Sequence, residues 1–108
     1  MTLRSDDDVL HITTPAAWQE AQGSGTVPVE SLATEGFVHC STRGQLPGTL
    51  ARHFAGARPL LGLVLDVSAM ADLRWELSVP DQPPFPHLYE PLRTSMVLSV
   101  EPLQAPPT

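Results

Sequence analysis

Apolar and polar residues alternate in short runs along this chain, and the period of alternation switches between strand-like and helix-like. Val9-Leu10-His11-Ile12 predicts a first strand, with Leu10 and Ile12 on one face and His11 and Thr13 on the other, because successive strand side chains point to opposite sides. Thr14 followed by Pro15 predicts a helix start, an N-cap before a first-turn proline, with Trp18 and Ala21 inward and Gly23 as the stop. A second helical turn is predicted around Val29 to Glu35, capped by Gly36. Phe37 to Ser41 then reads as a strand, with Val38 and Cys40 on one face and Phe37, His39 and Ser41 on the other.

Leu46, Leu50 and Phe54 stand at helical spacing and predict a helix within Thr42 to Ala55, with Pro47 in its first turn and Gly56 ending it. Leu60 to Val67 is the most apolar run and the expected central strand. Leu73 to Leu77 alternates, which directs Leu73, Trp75 and Leu77 to the core and Arg74 and Glu76 to the opposite side. Asp81 to Pro91 is punctuated by prolines and reads as a loop or extended segment, excluded from any central strand. Met96 to Val100 is the last expected strand. Short strands with helices mainly in the N-terminal half define an α+β fold with mixed or antiparallel sheets.

The 108 residues suffice for one domain. Its ordered core is expected over about residues 9–101, between a frayed acidic lead-in (residues 1–8) and a proline-rich extended tail from Pro102 to Thr108.

Composition narrows the chemistry. All six basic residues are arginine, and neither lysine nor asparagine occurs. Schiff-base catalysis and a P-loop both need lysine, and a Cys-His-Asn arrangement needs asparagine. The net charge of −6 argues against nucleic acid and against an anionic membrane surface as partners. A small nucleotide-like ligand stays open, since a few local arginines outweigh global charge. The single cysteine, Cys40, forbids an internal disulfide and a cysteine-based zinc site, and it is expected buried and inert. A polar N-terminus and the lack of a long apolar run lead to a cytoplasmic expectation.

Three strands each set a polar pair on one face. Were those strands neighbours, His11, His39, Arg74 and Glu76 would converge, with Phe37 as a stacking platform. In Phe85-Pro86-His87-Leu88-Tyr89, Phe85 and Leu88 are expected to anchor the segment, while His87 or Tyr89 reaches the same cleft and contributes little to stability.

The blocks Leu10-His11-Ile12-Thr13, Glu35-Gly36-Phe37-Val38-His39-Cys40-Ser41-Thr42, Leu73-Arg74-Trp75-Glu76 and Phe85-Pro86-His87-Leu88-Tyr89 resemble, in that order, the bacterial "domain of unknown function 952" family, over about residues 9–100. By fold that family is grouped with ADP-ribosyltransferase-like proteins, especially those resembling RNA 2′-phosphotransferase. The resemblance implies that His11 with Thr13, and His39 with Ser41, match the strand pattern of those relatives, and that Glu76 is the candidate third-strand acid. It further implies NAD as a substrate rather than a tightly held cofactor. His11 would bond the ribose, His39 a second ribose or a phosphate, and Phe37 or Tyr89 would stack on nicotinamide. Arg43 and Arg74 would meet the pyrophosphate, with Ser41, Thr42 and His87 completing the ligand site. Glu90 stands where a glycine is usual and would put a carboxylate at the pocket rim.

Three other readings stay open, one of them a purely structural or interaction role. Another is a non-catalytic module that kept the pocket without the reaction. The third is a metal hydrolase with His11, His39 and His87 around zinc and Glu76 as base.

Overall fold

The chain builds two antiparallel sheets and passes between them four times. The structure, a computed structural model, describes residues 6–106. Its elements are β1 (Val9–Thr13), α1 (Pro15–Ser24), α2 (Glu30–Thr34), β2 (Val38–His39), β3 (Ser41–Thr42), α3 (Leu46–His53), β4 (Leu60–Leu65), β5 (Leu73–Glu76), β6 (Phe85–Leu88) and β7 (Val97–Leu103). One sheet has the order β3-β1-β4-β7 and the other β2-β6-β5, so the fold is α+β with antiparallel pairing.

Helix α1 starts where capping chemistry places it. The Thr14 hydroxyl accepts from the Ala17 amide at 3.1 Å, and Pro15 occupies the first turn. It ends at Gly25 rather than Gly23, because Gly25 is the residue that turns left-handed, with φ of 87°, and donates its amide to the Ala21 carbonyl. Helix α3 is entered through a short 3₁₀ turn, Arg43–Gln45, closed by a reciprocal capping box between Thr42 and Gln45.

Leu63 and Leu65 of β4 pack with Val9, Val38, Leu88, Leu92 and Met96, while Leu10 and Val64 pack with Leu46 on α3. Strand β4 is thus buried on both faces, as its unbroken apolar run requires. Each fully buried leucine contributes about 1.5–3 kcal/mol of transfer free energy.

Three sequence expectations are corrected here. The run Phe37 to Ser41 is two strands in two sheets: β2 pairs with β6, the chain leaves at Cys40, and β3 pairs with β1. Period-two alternation continues through the crossover, so the pattern carries no trace of it. Second, the proline-rich segment supplies the central strand of the three-stranded sheet, β6. Pro86 is tolerated because its carbonyl accepts from the Cys40 amide at 3.1 Å, on the side where β2 leaves the sheet. Its missing donor therefore falls where no partner strand remains. Third, the termini are more tied down than expected. Asp6 and Asp8 carbonyls accept from the Gly44 and Arg43 amides, β7 runs on to Leu103, and the Gly56 amide donates to the Pro106 carbonyl. Pro102 pairs with Leu61 on the edge strand, a position open to proline. The remainder of the expected lead-in and tail, residues 1–5 and 107–108, lies outside the described residues.

Candidate functional site

A pocket of about 440 Å³ opens in the angle between the two sheets, with α3 as its third wall. That volume is in the range of small-ligand sites. Strand β1 contributes His11, β2 contributes His39, β3 contributes Ser41, and β6 contributes Phe85 and His87. Helix α3 adds Thr49, Arg52 and His53, Phe54 follows it, and Ser78 and Val79 close the site from the segment before β6.

His11 is buried, and its Nδ1 lies 2.8 Å from the His39 carbonyl oxygen. A carbonyl can only accept, so Nδ1 carries the proton and the neutral ring keeps its lone pair on Nε2. No protein partner meets Nε2 among the described residues, and no fully buried polar atom is left unpaired, so Nε2 is open to the pocket. Burial lowers the His11 pKa below 6.5, outweighing the backbone hydrogen bond, and the neighbouring His39 lowers it further.

His87 is held in the same fashion from the other sheet. Its Nδ1 is 2.9 Å from Glu76 Oε1, and the Tyr89 hydroxyl donates to the same carboxylate oxygen. These two donors, Tyr89 first, hold the Glu76 carboxyl below its ordinary pKa and keep it ionised, while the same bond raises the Tyr89 phenol. Phe37 stacks on the His87 ring at 4.2 Å, and the Ser31 hydroxyl donates to the Phe37 carbonyl at 2.7 Å, anchoring this strand end to α2. The His87 ring is therefore fixed in plane and tautomer, with Nε2 as its remaining edge.

The other expected residues divide. His39 lines the pocket, yet its ring is half-exposed and its Nε2 bonds Glu35 at 2.9 Å; His11 uses its backbone carbonyl. Strands β1 and β2 lie in different sheets, so the neighbouring-strand arrangement expected for His11 and His39 is replaced by a meeting of sheets. Ser41 lines the pocket with its hydroxyl engaged by Thr49 at 2.9 Å.

Glu76, Phe37 and Tyr89 stand outside the pocket lining, in the layer that supports His87. Arg74 extends that layer, pairing bidentately with Asp72 and lying 4.1 Å above the Tyr89 ring. It is not presented to the pocket. Arg43 is consumed by Asp8, just ahead of β1, and Glu101 on β7, and it does not line this pocket. Thr42 is spent on its capping box, and Thr13 is buried opposite Leu61. Glu90 does not reach the rim, because its carboxylate accepts the Ala71 and Asp72 amides, each at 2.7 Å. Cys40 is buried, and desolvation pushes its thiol up to about 12.

Missed from the sequence were Thr49, Arg52, His53, Ser78 and Val79. Leu46, Thr49, Leu50 and His53 follow i, i+3, i+4, i+7 spacing, so the helical period did carry a signal for two of them. Among the described residues, no three His, Cys, Asp or Glu side chains are arranged to hold a metal ion. The zinc arrangement of His11, His39 and His87 thus has no geometric support. No helix of the described residues is long and apolar enough to cross a membrane.

In an X-ray structure, the protein CC0527 from Caulobacter crescentus matches this fold with a TM-score of 0.80 at 32% identity, over 89% of this chain and 85% of that one. The solution NMR structure of the same protein matches with a TM-score of 0.74 at 30% identity, over 91% and 85%. None of the curated proteins compared matches the chain. The family model described as "Protein of unknown function (DUF952)" matches residues 12–100, from the first strand to the last, and the chain belongs to that family.

Proposed function

We propose that this protein is an ADP-ribosyltransferase-like enzyme that handles a nucleotide-like ribosyl ligand, with NAD as the candidate substrate. The observation that supports the reading is the pair of imidazoles from different sheets, His11 and His87, each fixed through Nδ1 and each with Nε2 left for the pocket. Such a pair suits chemistry at a sugar. Neutral His11 accepts a hydrogen bond from a ribose hydroxyl. As the C1′–N bond to nicotinamide breaks, its electron pair goes to the ring nitrogen and neutralises the pyridinium. An acceptor O–H adds at C1′, and its proton passes to His87 Nε2. Glu76 touches no reactant; it positions His87 and stabilises the imidazolium formed. The pocket's largely apolar walls, Leu10, Ile12, Phe54 and Phe85, exclude water from the reacting centre.

The test is nicotinamide release from NAD by the purified protein, compared with His87→Ala and Glu76→Gln. Release abolished in the first variant and strongly reduced in the second is the expected result. A rate indistinguishable from buffer, or one insensitive to both substitutions, overturns it.

One observation favours a non-catalytic binding module instead. Among the described residues no carboxylate lines the pocket, because Glu76 is turned to His87 and Tyr89, so positive charge at C1′ has no direct acidic partner there. On that reading, NAD or ADP-ribose raises the melting temperature and no nicotinamide appears.

A further inference from the structure

A second groove, of about 490 Å³, abuts the first pocket, and the two share Arg52 and Phe85 as walls. Its most unusual member is Trp75, a residue 50% exposed. Strand alternation directs Trp75 to the core, yet the apolar cluster reaches only Leu73 on this strand. Strand β5 is an edge strand, and its far end extends beyond the packed interior. A large aromatic face left in a groove rather than on open surface is a stacking platform.

Prolines restrict the backbone around it. Pro83 and Pro84 form one wall, held down by the Gln45 amide, which donates to the Pro84 carbonyl at 3.0 Å. Gln82 lines the groove with no side-chain partner among the described residues, so its amide is free to bond a ring edge.

At the junction, Arg52 lies 5.7 Å over the Phe85 ring and forms no ion pair with any described carboxylate. Among the described arginines, Arg43, Arg74 and Arg93 are each paired with acids while Arg52 and Arg58 are not; Arg52 stands beside two pockets, and on a chain of net charge −6 that position marks a place for an anion. Gly48 makes room for it: a Cβ there would lie 3.0 Å from Arg52 Nη1.

We infer that the Trp75 groove is a second subsite for an aromatic heterocyclic base, and that Arg52 holds the phosphates between that base and the ligand half in the His11–His87 pocket. The two cavities and their shared cation then fit a dinucleotide joined through a diphosphate. This assignment rests on the proposed function only in taking the first pocket's ligand to be nucleotide-like.

Calorimetric titration of NAD and of nicotinamide mononucleotide into the wild type, Trp75→Ala, Trp75→Phe and Arg52→Gln tests it. The wild type is expected to bind NAD more tightly than the mononucleotide. Trp75→Ala should weaken NAD about 5- to 100-fold and leave the mononucleotide unchanged, the loss expected for one stacked base. Trp75→Phe should restore most of the difference, because the aromatic face is kept. Arg52→Gln should weaken both ligands, since each carries phosphate. An unchanged melting temperature in Trp75→Ala establishes that the fold is intact. Mononucleotide binding with no preference for NAD, or a preference that survives Trp75→Ala, overturns the groove and leaves the first reading standing. Binding of neither nucleotide overturns both.

Discussion

His87 Nδ1 sits 2.9 Å from Glu76 Oε1 across the β5–β6 pair, with the Phe37 ring stacked on the imidazole at 4.2 Å. One contact fixes the tautomer and the other fixes the plane. His87 is also buried, which alters the expectation that its removal costs little stability. His87→Ala is expected to destabilise the fold by about 1–3 kcal/mol in urea unfolding, as the buried imidazole loses its bond to the partly exposed Glu76 carboxylate and its stacking on Phe37. In the folded fraction, turnover of NAD should fall by roughly 10²–10⁴-fold, the range of a general base. Full stability with full activity would remove His87 from both roles.

Glu76→Gln separates position from chemistry. The amide still accepts from Tyr89 but no longer stabilises a charged His87. Turnover should fall while the Kd for ADP-ribose stays within about twofold, since Glu76 does not line the pocket. A Kd that rises in step with the lost rate would place Glu76 in the ligand site instead.

Acid should destabilise the protein from an unusually high pH. The His11 pKa is lowered in the fold, from 6.5, by burial. Below about pH 6.5 the unfolded chain binds a proton that the folded chain refuses, so stability present above that value declines as pH falls toward the folded pKa. Glu76, also lowered, adds the same sign in a more acidic window, below its ordinary 4.5. Melting temperatures measured from pH 8 to pH 5 should fall in the wild type and fall less in His11→Gln, which keeps a donor for the His39 carbonyl. Parallel curves for the two proteins would contradict this.

Phe85 and His87 lie in one strand, and their legibility in the sequence differed for a physical reason. That Phe85 anchors the segment follows from its being a large apolar residue between prolines. That the segment is a central strand does not, because whether Pro86 interrupts a ladder depends on where β2 ends. The end of β2 is set by the crossover at Cys40, a tertiary event. His11 on one face of β1 was legible from alternation alone. The roles of Arg43 and Arg74 were not, since an arginine's partner is chosen by distant carboxylates such as Glu101. Trp75 shows the same limit: alternation gives its face of the sheet, and the reach of the core over that face is not a local property.

Phe85→Ala is expected to cost about 3–5 kcal/mol, because the ring is buried where pocket, groove and sheet meet and the cavity left has few neighbours able to collapse into it. Chemical denaturation reads the loss directly. A cost below about 1 kcal/mol would mean that β6 is held by other contacts.

Cys40 should resist thiol reagents in the native state. Its thiol is buried against Val38 and pushed up to about 12, so almost no thiolate is present at neutral pH. Labelling with a maleimide or a disulfide reagent should proceed at the rate of global unfolding and accelerate with urea. Prompt modification without denaturant would show that the crossover between the sheets opens locally.

Gly48→Ala offers a test in which stability and binding move in opposite directions. Glycine in a helix is less favourable than alanine by about 0.5–1 kcal/mol, so its presence in α3 costs the fold something. The nearest side-chain atoms to an added methyl belong to the guanidinium of Arg52, with Nη1 at 3.0 Å, the mobile end of a long side chain. Arg52 can yield to it without disturbing the core. The variant is therefore expected to melt at the same temperature as the wild type or a few degrees higher. Displacing Arg52 from the junction should weaken ligands that carry a diphosphate and leave nicotinamide riboside, which has no phosphate, unaffected. Equal loss for the charged and the uncharged ligand would mean that Gly48 shapes the groove itself rather than the position of its cation. Unchanged binding of both would leave Arg52 without a role at the junction.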